Sequence, residues 1–170
     1  KVLPIQSITR TKIKVIVDLP DFAKRAASSQ AQAVGLMRLE GIIASSGKHP
    51  MYFLGNNDTQ GYRELIEKGV EAISKYFKEV WIRTSDIRSD EYQNLKGAPK
   101  AKELNPMLGF HGLRTSLKNL PLFEAELLAI KNVAEKYPDK KFGLMFPQVI
   151  GEEEMETAFK LVRSKYHRNN

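Results

Sequence analysis

Two arginines stand directly after short apolar runs, where a β-strand would end. Arg38 closes the run at 33–37, and Arg83 closes the run at 80–82. A guanidinium keeps its charge at every physiological pH and offers parallel N–H donors that match a carboxylate or a phosphate. Two of them at equivalent strand ends indicate a site for an anionic ligand. Either arginine by itself is equally typical of a salt bridge to a loop carboxylate.

Two carboxylates, Asp86 and Glu91, follow Arg83 within a few residues. Carboxylates at such positions could orient the arginines, bind a metal ion, or act as general acid and base. The solvation and capping of a loop is their more common use. Their spacing therefore makes them candidates without assigning a role.

The segment 105–114 combines turn-forming residues with basic side chains. Asn105 opens it, His111 lies within it, and Arg114 closes it. Its two glycines predict a close approach of the backbone to another group. From spacing alone, the segment could also be a structured connection.

Short apolar strands alternate with amphipathic helices along the chain. Strands are predicted at 12–17, 33–38, 80–83 and 142–146, and helices at 21–32, 61–77, 122–136 and 152–166. This order predicts an α/β fold with a parallel sheet and right-handed crossovers, four βα units in a single domain over 1–170. Ligands of such sheets bind at the carboxyl ends of the strands. The fold should therefore bring Arg38 and Arg83 to one mouth.

Composition narrows the class of protein. The chain has 170 residues, 42% hydrophobic and 28% charged, with no apolar run near the roughly 18 residues of a membrane span. It has no cysteine, which excludes disulfides and cysteine-based chemistry within this chain. The net charge is +7, but the basic residues are interleaved with acids, so nucleic acid is disfavoured as a partner. Because the N-terminus lacks a signal-peptide pattern, we expect a soluble, cytoplasmic protein.

Four sequence boxes, in order along the chain, resemble those of phosphoenolpyruvate (PEP) synthases, the pyruvate, water dikinases. They are VGLMRLE at 34–40 with SGKHP at 46–50, WIRTSD at 81–86 with DEYQNL at 90–95, NPMLG at 105–109, and LMFP at 144–147. The resemblance implies that this chain is the first half of the family's C-terminal (β/α)₈ barrel, which binds PEP or pyruvate. It also implies that Arg38 and Arg83 hold the phosphate and carboxylate oxygens of the substrate. In the same way, the mouth would be supported by Asp86, Glu91 and Asn105.

The segment after NPMLG departs from the family pattern. His111 stands where the family has an arginine, and Arg114 matches the family's second basic position. A histidine can still donate a hydrogen bond to an anion. We therefore include both His111 and Arg114 among the predicted substrate-binding residues.

The resemblance implies an activity that this chain would not perform alone. The family barrel continues with a glutamate and an Asn–Asp pair that hold Mg²⁺ and with a cysteine proton donor, all beyond the fourth βα unit. The ATP-binding and phosphohistidine domains are also missing from these 170 residues. We expect the PEP- or pyruvate-binding portion of an enzyme that converts ATP, pyruvate and water to AMP, PEP and phosphate. By itself it should contain no catalytic residue and hold no Mg²⁺.

A second interpretation is a non-catalytic, PEP-synthase-related binding or assembly protein. Half a barrel leaves free edges beside its first and last strands, and free edges tend to pair with other chains. Closure by a second copy, giving a homodimer, or by the missing half-barrel would remove them.

Overall fold

The chain forms a four-stranded parallel sheet in a computed structural model that describes residues 10–29, 31 and 33–166. The strands lie in the order β1 (Val15–Ile16), β2 (Ala33–Arg38), β3 (Glu79–Arg83) and β4 (Lys141–Met145), and every neighbouring pair is parallel. This confirms the predicted α/β class. Only β1 is much shorter than predicted, and its register with β2 shifts between its two residues.

The helices are α1 (Ala23–Ala27), α2 (Leu39–Ser45), α3 (Pro50–Gly55), α4 (Thr59–Ser74), α5 (Leu113–Lys118), α6 (Leu120–Lys136) and α7 (Glu152–Tyr166), with 3₁₀ turns at Pro20–Phe22 and Pro106–Leu108. The three long predicted helices correspond to α4, α6 and α7. The predicted helix at 21–32 is reduced to a 3₁₀ turn and α1, and positions 30 and 32 lie outside the described residues. The short helices α2, α3 and α5 were not predicted, because six or seven residues give too few turns for a helical period.

Helices α4 and α6 cover one face of the sheet. From the strands, Val34, Val80 and Ile82 contribute fully buried side chains to this core. From the helices, Ile66 and Ile130 pack into the same cluster and are at most 1% exposed. Burial of this apolar surface is the main stabilising contribution to the fold.

The opposite face of the sheet is more open. Ile16 is 61% exposed and Met145 is 41% exposed. Between them, Trp81 donates from Nε1 to Glu79 Oε1 at 2.7 Å. A Cβ on Gly143 would come within 2.3 Å of the Trp81 ring, so glycine is required for the ring to lie flat against β4. None of the described helices is long and apolar enough to cross a membrane.

Candidate functional site

A cleft of about 550 Å³ lies at the carboxyl ends of the first three strands. It is lined by four of the seven predicted site residues, Arg38, Arg83, Asp86 and Glu91. Arg38 and Arg83 are register partners on adjacent parallel strands. The sheet therefore brings both guanidinium groups to one mouth.

Arg38 is oriented by a carboxylate that follows the neighbouring strand. Its Nε donates to Asp18 Oδ2 at 2.7 Å, and its backbone N–H donates to Asp18 Oδ1 at 2.8 Å. The hydrogen bond and charge of Asp18 raise the pKa of Arg38. The Arg38 side chain remains 47% exposed, so it keeps its charge at the cleft surface.

Arg83 is held by a buried glutamate. Its Nη2 lies 2.9 Å from Glu40 Oε1, and the same oxygen accepts the backbone N–H of Asp86 at 2.5 Å. Glu40 is 6% exposed, and burial raises the pKa of its carboxyl while Arg83 opposes that shift. Arg83 Nε and Glu40 Oε2 are buried and find no hydrogen-bond partner among the described residues. Such orphaned polar atoms are costly and occur at sites that receive a ligand or water.

His111 contacts Asp86 but does not itself line the cleft. Its ring is 2% exposed. Nδ1 lies 2.7 Å from Asp86 Oδ1, and Nε2 lies 3.1 Å from the backbone oxygen of Met107. Each ring nitrogen is thus engaged by an atom of this chain, and neither is left free for a ligand. The predicted anion contact of His111 would have to displace one of these bonds.

The remaining predicted residues differ in their surroundings. Glu91 accepts from Arg88 twice, from the backbone N–H at 3.1 Å and from Nη2 at 2.9 Å. Asn105 is exposed and precedes a 3₁₀ turn, and Arg114 lies in the first turn of α5. Neither Asn105 nor Arg114 lines the cleft.

The structure adds residues that we did not predict as part of the site. Asp18, Glu40 and Tyr92 line the cleft with the arginines. A signal existed for the two acids, because Asp18 directly follows the predicted strand at 12–17 and Glu40 comes two residues after the predicted strand at 33–38. Tyr92 has a φ of 53°, a left-handed backbone that is costly for an aromatic residue and often marks functional sites.

A buried glutamate also anchors the start of the loop that carries Asp86. Glu126 is 1% exposed. Its Oε1 accepts from the Tyr62 hydroxyl at 2.7 Å, and its Oε2 accepts from the Ser85 N–H at 3.1 Å. Burial raises the pKa of Glu126. The loop after β3 is thus tied at Ser85 to Glu126 and at Asp86 to Glu40.

The sequence as a whole matches the family model of the PEP-utilising enzyme, PEP-binding domain, over residues 1–169. The chain belongs to this family. It is 37% identical over 160 residues to a probable phosphoenolpyruvate synthase of Pyrococcus abyssi, an alignment that covers 92% of this chain and 19% of the relative. It is 36% identical over 159 residues to the phosphoenolpyruvate synthase of Pyrococcus furiosus, with 92% and 19% covered. A probable phosphoenolpyruvate synthase of Archaeoglobus fulgidus is 37% identical over 163 residues, with 93% and 21% covered.

The chain spans about a fifth of the length of those relatives. The sheet agrees with the family, since it is the α/β arrangement of a partial (β/α) barrel. The resemblance stated from the sequence boxes is confirmed.

Proposed function

We propose that the cleft binds PEP or pyruvate as the substrate-binding part of a PEP-synthase-like phosphotransferase. The observation that carries this proposal is the register pairing of Arg38 with Arg83 at the carboxyl ends of β2 and β3. PEP carries a carboxylate and a phosphate close together, and two adjacent guanidinium groups match that pair of anions. The membership of the PEP-binding domain family supports this ligand over other small anions.

The proposed binding relies on arginines that are oriented before the ligand arrives. Asp18 holds one edge of Arg38, and Glu40 holds one edge of Arg83. Fixing a long side chain in advance lowers the entropy that binding would otherwise cost. During phosphoryl transfer in the complete enzyme, these positive charges would stabilise the negative charge on the enolate and phosphoryl oxygens.

His111 acts on this proposed site through Asp86 and does not contact the ligand directly. Both ring nitrogens are engaged by atoms of this chain. Asp86 Oδ2 in turn lies 4.0 Å from Arg83 Nη1. We therefore assign His111 the role of holding Asp86 beside Arg83, while substrate contacts of Asn105 and Arg114 stay predictions.

Mg²⁺ belongs to the reaction of the complete enzyme, as the family resemblance implies. Within residues 10–29, 31 and 33–166, no three His, Asp or Glu side chains are grouped so that they could hold a metal ion. The carboxylates at the cleft are instead paired with Arg83, Arg88 and His111. These residues do not fit a magnesium site, and no step of the proposed mechanism passes through the metal.

The open face of the sheet favours assembly with further (β/α) units. Its exposed apolar side chains, such as Ile16 and Met145, lie on the face opposite to α4 and α6. In a closed barrel this face becomes the packed interior. We propose that it is covered by the other half of the barrel, either from the same polypeptide or from a second subunit. Light scattering tests closure by a second copy of this 170-residue chain. A stable dimer would support such closure, and a monomer would count against it.

Calorimetric titration with PEP tests the proposed ligand. The Arg83→Gln variant is expected to bind PEP about 10- to 100-fold more weakly, because a charge-assisted hydrogen bond contributes about 1.5–3 kcal/mol. Arg25→Gln, on the short α1, removes the same charge away from the cleft and is expected to bind normally. Equal affinity of the Arg83→Gln variant and the unaltered protein would overturn the assignment. PEP synthesis by the purified chain without any added subunit would contradict its proposed dependence on the rest of the enzyme.

A further inference from the structure

A second cavity, of about 320 Å³, lies on the other side of the loop that follows β3. Ser85 and Ile87 line this cavity, whereas Asp86 between them lines the cleft. Glu91 lines both. The segment 85–91 is therefore a thin wall that separates the two spaces, and the second cavity is distinct from the proposed PEP site.

The walls of the second cavity are mainly apolar. They come from α3, α5, α6 and the loops around them, and Met51, Leu122, Phe123 and Phe110 are among the apolar side chains. Its volume falls at the lower end of the roughly 300–1,000 Å³ that small-molecule pockets span. A ligand with a compact apolar body fits such a space.

The polar side chains at this cavity indicate which polar or charged group the ligand carries. His49 Nδ1 accepts from the Met51 N–H at 3.1 Å, and burial lowers the pKa of His49. The neutral ring therefore carries its proton on Nε2, for which the described residues provide no hydrogen-bond partner. Lys118 is exposed and forms no ion pair with a described carboxylate, and its Nζ lies 5.1 Å from the centre of the Phe110 ring.

The charge distribution orients the ligand. The buried carboxyl of Glu126 lines the cavity, and its two oxygens already accept from Tyr62 and Ser85, so this end of the cavity offers a ligand anion no free donor. The exposed ammonium of Lys118 attracts an anion instead. We propose that this cavity binds a small amphipathic carboxylate, with its apolar body between α3 and α6 and its carboxylate at Lys118.

Occupancy of the cavity acts on the wall that it shares with the cleft. A ligand in contact with Ser85 and Ile87 presses on the segment whose Asp86 N–H is bonded to Glu40. Only the effect of this contact on PEP binding in the cleft rests on the proposed function. Binding of the carboxylate itself does not, so the two can fail separately.

Nuclear magnetic resonance of the ¹⁵N-labelled protein tests the proposal with phenylacetate as the probe and phenylacetamide as its uncharged analogue. We expect phenylacetate to shift the amide signals of Ser85, Asp86, Ile87 and Ser116 in a saturable way without PEP present. Lys118→Gln is expected to weaken phenylacetate about 1.5- to fivefold, the range of an exposed ion pair, and to leave phenylacetamide unchanged. Lys24→Gln, an equivalent change on α1, is the matched control and is expected to alter neither.

A second variant tests the cavity independently of charge. Ser116→Leu adds apolar atoms at the cavity wall and is expected to weaken both probes at least about tenfold. If that variant does not fold, the comparison of phenylacetate with phenylacetamide binding by Lys118→Gln still tests the proposal. Absence of saturable shifts at these amides, or equal loss of both probes in Lys118→Gln, would overturn the proposal. Saturable shifts at Ser116 without any at Asp86 would contradict the coupling through the wall.

Discussion

One oxygen of Glu40 joins Arg83 to the loop that carries Asp86. Glu40 Oε1 lies 2.9 Å from Arg83 Nη2 and 2.5 Å from the backbone nitrogen of Asp86. The charged end of β3 and the start of the following loop are therefore positioned by the same buried carboxylate. The second oxygen, Oε2, is buried without a partner in the described part of the chain. Geometry at the mouth of the cleft thus depends on a residue that itself presents little surface to a ligand.

Replacing His111 should weaken PEP binding through Asp86. His111→Leu removes the bond to Asp86 Oδ1, and we expect about five- to tenfold weaker PEP binding, the equivalent of one hydrogen bond. His111→Gln retains a donor and should recover part of that affinity. Calorimetry with PEP measures both variants, and their melting temperatures control for a general loss of structure. Equal affinity of the two variants at matched stability would exclude the positioning role.

The pH dependence of stability should reveal the buried Glu126. Burial raises the pKa of Glu126 above its ordinary value of 4.5. Between pH 4.5 and this raised pKa, the folded protein therefore binds more protons than the unfolded protein does. This contribution to stability is complete below that window and is lost as pH rises through it. Glu126→Gln does not titrate, so its unfolding free energy should decline less with pH. Urea unfolding from pH 4.5 upward measures the difference.

A surface acid provides the control for that pH series. Glu156→Gln changes a residue whose side chain is 61% exposed on α7. Because this side chain is exposed, the substitution should change the unfolding free energy by less than about 0.5 kcal/mol. A Glu126→Gln curve parallel to the unaltered protein would contradict a raised pKa of Glu126.

Tyr62→Phe should destabilise the protein. Tyr62 is fully buried, and its hydroxyl donates to Glu126 Oε1 at 2.7 Å. Without this donor the buried oxygen loses a partner, which costs about 1–3 kcal/mol of unfolding free energy. Tyr76→Phe removes a hydroxyl from a side chain that is 41% exposed and should change stability by less than about 0.5 kcal/mol. Chemical denaturation compares the two, and equal effects would show that the Tyr62–Glu126 bond is not stabilising.

The packing of Trp81 against β4 can be tested with a substitution at Gly143, for which Gly55 provides the control. Gly143→Ala would place a Cβ 2.3 Å from Trp81 and should cost about 1–3 kcal/mol of unfolding free energy. Gly55→Ala, at the end of α3, meets nothing within 4 Å and should instead stabilise by about 0.4–1 kcal/mol. Thermal unfolding of both variants gives the comparison. A neutral Gly143→Ala would mean that Trp81 does not lie against β4.

Sequence reasoning was most successful for the long periodic elements. The predicted strand at 33–38 matches β2, and the predicted helix at 152–166 matches α7. It was least successful at α2, α3 and α5, whose ends depend on local contacts. At α3, for example, His49 Nδ1 accepts from the Met51 N–H. Such a cap is visible only when the side-chain geometry is known.

By itself, the sequence determined the alternation of strands and helices and hence the common edge at which Arg38 and Arg83 end their strands. Apolar periodicity encodes burial locally, so it can be read without coordinates. Only the tertiary structure decided which carboxylate each arginine meets. Asp18 is 20 residues from Arg38, and Glu40 is 43 residues from Arg83. Pairs so distant along the chain depend on strand register and helix packing, which no local pattern contains.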